Sequence, residues 1–180
     1  MKSIYLVLTS LFITISTQAQ TFTLKSSDLQ GQIMSKQVFN GFGCTGENIS
    51  PQLSWEHAPK GTKSFAIIMY DPDAPTGRGW THWVVFNIPV TTKELKTGAG
   101  DITKTLTTKE VIQSITDYGS YGYGGPCPPE GDNFHKYEIT VFALKVDHLE
   151  LDKNTNASVV GYTINSNTIA KSTITAYFKR

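Results

Sequence analysis

Between Tyr70 and Pro89 the chain reads YDPDAPTGRGWTHWVVFNIP. Asp71 and Asp73 lie within a segment whose backbone two prolines hold stiff, Pro75 being the second. Each proline fixes its own φ and pushes its predecessor towards extended shapes. His82 stands between Trp80 and Trp83. A carboxylate beside an imidazole fixes its tautomer and favours its charged form, and tryptophan walls keep water away. A second concentration, YGYGGPCPPEGDNFHKY, runs from Tyr121 to Tyr137. Its glycines, Gly125 among them, admit close approach of backbone to ligand, and their N–H groups can cup an anion. Pro128 stiffens that loop. His135 and Tyr137, two apart, share one face of a strand. Together these residues suggest an orienting pocket for a small anionic group. In that reading His82 donates a charge-assisted hydrogen bond to the anion. Asp71 orients or charges His82, Tyr137 and loop amides complete the cup, and His135 braces or donates.

Other readings of the same residues stay open. DPDAP is also an ordinary turn sequence, and His82 is also compatible with a half-buried structural histidine. Asp71, His82 and His135 have the composition of a two-histidine, one-carboxylate metal site. The prolines and Tyr137 add nothing to metal binding, however, and there is no H-E-x-x-H. Neither a metal nor another cofactor is expected. No G-x-S-x-G elbow is present, and no serine is marked as a nucleophile beside either histidine. The expectation is a binding protein and not an enzyme, with a hydrolase assembled in space as the weaker alternative. His57 and His148 lack polar company and read as surface or structural residues.

The elements that must position these groups are mainly strands. SFAIIMYD is an apolar run ending at Asp71, and HWVVFNIP is a second run starting at His82. HKYEITVFALKV alternates, with Tyr137, Ile139, Val141 and Ala143 on one face and Glu138, Thr140, Phe142 and Leu144 on the other. TFTLKS and QIMSKQVFN are short and β-leaning, and STITAYFK reads as a last strand. Helical signal is sparse. TTKELKTG suggests one turn, and NTNASVVGYTINSNTIAK is the best helix candidate, with Asn or Thr as N-cap. The fold class is therefore mainly β: an antiparallel β-sandwich with a few short peripheral helices.

The first residues, MKSIYLVLTSLFITISTQAQ, carry one basic residue, an apolar stretch and a small-residue close before Gln20. That is the pattern of a cleaved secretory signal peptide over 1–19, and the apolar run is too short and too interrupted to span a bilayer. A single domain over 20–180 is expected, exported to a periplasm or secreted. Sixteen Lys and Arg face fifteen Asp and Glu; loss of Lys2 with the leader brings the formal charge to zero. Without a basic face, nucleic acid is not an expected partner, nor is electrostatic attachment or stable insertion at a membrane. Cys44 and Cys127 both lie in Gly-rich turns. Export and the even count favour a disulfide between them; two free, partly buried thiols are the alternative.

DPDAP at 71–75, Trp80 to His82 and GGPCPPEGDNFHKY at 124–137 together resemble the phosphatidylethanolamine-binding protein family. NISPQLSW at 48–55 and GTKSFAIIMYDPDAPTG at 61–77 are similar to its exported bacterial branch, called Raf-kinase-inhibitor-like. The resemblance spans essentially the whole chain after the leader. It implies a large antiparallel sheet packed on a smaller one, with a pocket at one end for phosphate-like or phospholipid head groups. The implied pocket residues are Asp71, Ala74, Trp80, His82, Gly125, Pro128, His135 and Tyr137, with Asp73 and Pro75 supporting the loop. A cis Ala74–Pro75 bond, a homodimer, and an alternative role as inhibitor or modulator of a protease or kinase are further implications. The chain also departs from animal members. Its loop between Asp73 and His82 is shorter, Thr81 replaces a second histidine, and Cys127 stands in place of a glycine.

Overall fold

The computed structural model describes residues 20–104, 108 and 110–180, so the expected leader, 1–19, lies outside the described residues. The strands are β1 (Thr23–Lys25), β2 (Asn40–Gly41), β3 (Cys44–Thr45), β4 (Leu53–Glu56), β5 (Ser64–Asp71), β6 (Trp80–Pro89), β7 (Glu94–Leu95), β8 (Ile112–Gln113), β9 (His135–Leu144) and β10 (Thr168–Phe178). One helix, α1 (Ala157–Asn167), precedes β10. A five-stranded sheet has the order β10-β9-β5-β6-β8, a three-stranded sheet the order β1-β4-β7, and β2 and β3 form a small hairpin. All paired strands are antiparallel.

The large sheet is covered on both faces, which is why β5 reads as a continuous apolar run and not as an alternation. Phe65, Ile67 and Met69 join Trp83, Val85, Ile139 and Val141 against Leu24, Leu53 and Trp55 of the small sheet. On the opposite face Ala66, Val84, Phe86, Phe142 and Leu144 pack under Val160 and Ile164 of α1. Both helix residues are fully buried, and a side chain of that kind contributes about 1.5–3 kcal/mol by leaving water. Asn156 starts α1 by accepting a hydrogen bond from the Val159 amide at 3.0 Å, the N-cap role expected of Asn.

Two expected elements differ. QIMSKQVFN forms turns and one isolated bridge, Gln32 to Tyr177, and enters a strand only at Asn40 of β2; the turns close where Met34 accepts from Gln37 and Ser35 from Val38. TTKELKTG contributes β7 instead of a helical turn, because burying Leu95 against Leu53 requires an extended chain. The last strand begins at Thr168, earlier than the STITAYFK reading.

Two register shifts interrupt the β5–β6 ladder. Near Phe86, β6 holds one residue more than β5, and Asn87 takes a φ of 59° there. The second shift lies beside the candidate site. Met69 faces Trp83 while Tyr70 faces Thr81, so His82 is the extra residue of a β-bulge, a device that re-aims a side chain.

Candidate functional site

Asp71 ends β5, Trp80 opens β6 opposite it, and His135 opens β9. Antiparallel pairing therefore brings all three to one end of the large sheet. There they line a cavity of about 200 Å³ together with Phe42, Ala74, Pro75, Thr76, His82, Tyr118, Cys127, Pro128, Pro129 and Tyr137. Simple alternation along β6 would place His82 on the face opposite Trp83. The bulge turns its ring instead towards Tyr137, 5.2 Å between ring centroids, and Tyr118, at 5.5 Å.

The imidazole partner of Asp71 is His135 and not His82, as the sequence had suggested. His135 Nδ1 donates to Asp71 Oδ2 at 2.8 Å, and its Nε2 donates to Asp132 Oδ2 at 3.2 Å. With a carboxylate on each nitrogen, the ring is held as the imidazolium. Burial opposes that charge, but the hydrogen bond and charge of Asp71, then those of Asp132, outweigh it and raise the ring above its ordinary value. The other oxygen of Asp71, Oδ1, accepts from the amides of Asp73 at 2.8 Å and Ala74 at 3.1 Å. Asp73 Oδ2 accepts from the Lys136 amide at 2.8 Å, so Asp73 ties the DPDAP corner to β9. The Ala74–Pro75 bond is trans, since the described residues contain no cis peptide. The two Asp71 contacts and the bond from the Thr76 amide to the Ala74 carbonyl at 2.7 Å close the turn with trans peptides.

His82 is the neutral histidine of the pair. Its Nδ1 donates to the Gly124 carbonyl at 2.8 Å, which leaves Nε2 as a lone-pair acceptor. Burial pushes the ring down to about 4, against the raising effects of the Gly124 carbonyl and the Asp71 charge. Among the described residues Nε2 has no hydrogen-bond partner, and neither has the Tyr137 hydroxyl or Trp80 Nε1. Burial and the Asp71 charge push the Tyr137 hydroxyl up, so it remains a donor.

A sequence model described as phosphatidylethanolamine-binding protein matches residues 25–179. The chain belongs to the phosphatidylethanolamine-binding protein family. It is 44% identical to the UPF0098 protein YbcL of Escherichia coli (strain K12) over 181 residues, 99% of each chain. It is 43% identical to YbhB of the same organism over 157 residues, 86% of this chain and 98% of YbhB. Its fold superimposes on the crystal structure of E. coli YbcL, called a new member of the mammalian PEBP family. The TM-score is 0.86 at 44% identity, covering 88% of this chain and 98% of that one.

In this family member the structure gathers Asp71, Ala74, Pro75, Trp80, His82, Pro128, His135 and Tyr137 around the cavity. Gly125 stays behind it. A Cβ there would lie 2.1 Å from the Gln37 carbonyl oxygen, so Gly125 permits close packing of two backbones. Its amide donates to Asn48 Oδ1 at 2.7 Å, and the Gly124 amide donates to the His82 carbonyl at 2.9 Å. The Gly124 and Gly125 amides, two of those expected to cup an anion, are thus spent within the protein. Cys44 and Cys127 form a disulfide, with 6.0 Å between their Cα atoms. It ties the β2–β3 hairpin, and with it Phe42, to the Pro128 loop. Sequence reasoning missed Tyr118, whose hydroxyl donates to the Gly125 carbonyl at 2.7 Å and whose ring packs edge-on to Trp80 at 5.3 Å. It also missed Phe42, Thr76 and Pro129 of the lining, and Asp132. For Asp132 a signal existed: an acid three residues before His135, directly after Gly131. Among the described residues no group of three His, Cys, Asp or Glu side chains is arranged to hold a metal ion, and no helix is long and apolar enough to cross a membrane.

Proposed function

We propose that this protein is an exported, non-enzymatic binding protein whose cavity takes a small phosphate-like anion or phospholipid head group. One observation carries the reading. Of six buried side-chain N and O atoms without a partner among the described residues, three belong to cavity-lining residues: His82 Nε2, Tyr137 Oη and Trp80 Nε1. An unmet buried polar group costs about 1–3 kcal/mol, and a ligand offering both donors and acceptors removes that cost. The imidazolium of His135 supplies positive charge, and Phe42, Pro75, Trp80, Tyr118 and Pro128 supply a dry wall. The leader pattern and the disulfide support export. A second reading, modulation of a protease or kinase through a protein surface, is favoured by Phe42, which is 70% exposed at the cavity rim.

The test is an NMR titration with phosphorylethanolamine and with inorganic phosphate at pH 6 and pH 7.5, following the His82 and His135 ring signals. Saturable shifts at both rings, lost in His82→Ala, support the anion pocket. Silence at millimolar ligand sinks it and leaves the protein-surface reading, which requires a protein-sized interface. Turnover of ester or phosphoester substrates that is lost with His82 would overturn the non-enzymatic part.

A further inference from the structure

We infer that the anion taken by this cavity brings its own proton, so that the ligand class is a phosphate monoester and not a phosphodiester. The inference rests on the anion-pocket reading above and concerns which oxyanion fits it. The His82 ring is 2% exposed and has one proton, already given to the Gly124 carbonyl. Its free Nε2 therefore demands a donor from the ligand. Tyr137, whose ring lies 5.2 Å from that of His82, and Trp80 line the same cavity, and their Oη–H and Nε1–H, without partners among the described residues, demand acceptors. The monoanion of a phosphate monoester meets all three: its P–OH donates to Nε2, and its other oxygens accept from Tyr137 and Trp80. No covalent bond is made or broken.

The surrounding charge favours the same species. Asp71 faces His82 from β5, Asp117 and Tyr118 from the segment after β8, and Tyr137 from β9, with His135 stacked on the far side of Tyr137. Asp117 is paired with Arg78 at 2.9 Å. His135 shares its single positive charge between Asp71 and Asp132. Among the described residues no Lys or Arg lines the cavity. A dianion would meet this excess of carboxylate with two charges and would offer Nε2 no hydrogen. The second ionisation of a phosphate monoester lies near pH 6, well above the His82 ring at about 4. The proton therefore stays on phosphate oxygen and not on the ring. A phosphodiester has the same single charge as the monoanion but no P–OH, so equal charge does not rescue it. An ammonium group on the ligand is the one competing donor for Nε2.

Four probes separate these cases on the disulfide-bonded protein: methyl phosphate, dimethyl phosphate, phosphorylethanolamine and glycerophosphorylethanolamine. Each is titrated at pH 6 and pH 8, with His82 ring shifts and ligand ³¹P shifts recorded. The two monoesters are expected to bind at pH 6 at least tenfold tighter than the two diesters. Methyl phosphate should weaken roughly fifty-fold from pH 6 to pH 8, as the monoanion falls from half to about 1% of the free ligand. Its bound ³¹P signal should keep the monoanion shift at pH 8. Loss of charge at His135 weakens monoester and diester alike, so the ratio between them carries the result. Dimethyl phosphate binding within twofold of methyl phosphate overturns the inference and leaves the anion pocket intact. So does glycerophosphorylethanolamine matching phosphorylethanolamine, which would make the ammonium the donor. A bound dianion beside a doubly protonated His82 overturns it as well. No shift with any probe overturns the anion pocket itself.

Discussion

Replacing Asp71 by Asn tests the division of labour between the two histidines. Asn keeps an oxygen for the Asp73 and Ala74 amides but turns an NH₂ towards His135 Nδ1, so the 2.8 Å contact to a carboxylate becomes donor against donor. Asp71 and His135 are 3% and 4% exposed, so water screens little of the loss. Removing one partner of a buried ion pair costs about 3–5 kcal/mol. Two features reduce that figure: His135 keeps Asp132, whose side chain is 41% exposed, and the ring can release its proton. We therefore expect a loss of roughly 2–3 kcal/mol at pH 6, the size of a hydrogen bond to a charged group. His135 is raised in the folded protein, so its contribution is complete below its unfolded value near 6.5 and is lost as pH rises through the folded value. The difference between wild type and Asp71→Asn should accordingly shrink between pH 6 and pH 9. Urea denaturation followed by tryptophan fluorescence at those two pH values measures it. A histidine NMR titration should show His135 dropping while His82 stays neutral. A difference below 1 kcal/mol at pH 6, no narrowing at pH 9, or a change confined to His82 would refute the assigned pairing.

Three further outcomes follow from the same geometry. His82 is pushed down to about 4, so below pH 6.5 the unfolded chain gains a proton that the folded ring refuses. Wild type should lose roughly 3 kcal/mol more than His82→Gln between pH 6.5 and pH 4, read as the difference of two urea series. Tyr137→Phe removes a hydroxyl that has no hydrogen-bond partner among the described residues; unfolding stability of the free protein should rise by about 1–3 kcal/mol, while the affinity for inorganic phosphate falls about fivefold. Replacing Cys44 and Cys127 by Ser opens a link spanning 83 residues. It should lower stability by roughly 4–5 kcal/mol on the chain-entropy account, seen as a lower urea midpoint that dithiothreitol also produces in wild type.

The strands carrying the site were legible because their patterns are strong. SFAIIMYD and HKYEITVFALKV each bury a face that only an extended chain can present, and both stand in the fold at the expected residues. TTKELKTG departs from its pattern because β7 owes its form to Leu95 meeting Leu53 across the sheet, a contact 42 positions apart that local periodicity cannot see. The same limit applied to Gly125. Its glycine was noticed, but the tight partner turned out to be the backbone of Gln37 and not a ligand. Tyr118 was missed because its role depends on where the 112–127 segment crosses β6, and nothing in its neighbours marks it.

The assignment of Asp71 to His82 failed for a more instructive reason. Their closeness along the chain made them natural partners, yet a carboxylate at the end of β5 finds its neighbour on β9, where His135 opens the adjacent strand. The His82 side of the site depends on one extra residue in β6. With that residue the ring turns onto the Gly124 carbonyl and becomes a neutral acceptor; in regular register it would lie on the face that α1 covers. Two histidines at one cavity are thus driven to opposite protonation states, one by two carboxylates and one by burial. That split, set by environment and not by residue type, leaves a positive charge held between two carboxylates and a bare lone pair at one cavity. Deleting one residue between Trp80 and Trp83 to remove the bulge should therefore abolish phosphate binding, even where His135 and Asp71 remain paired.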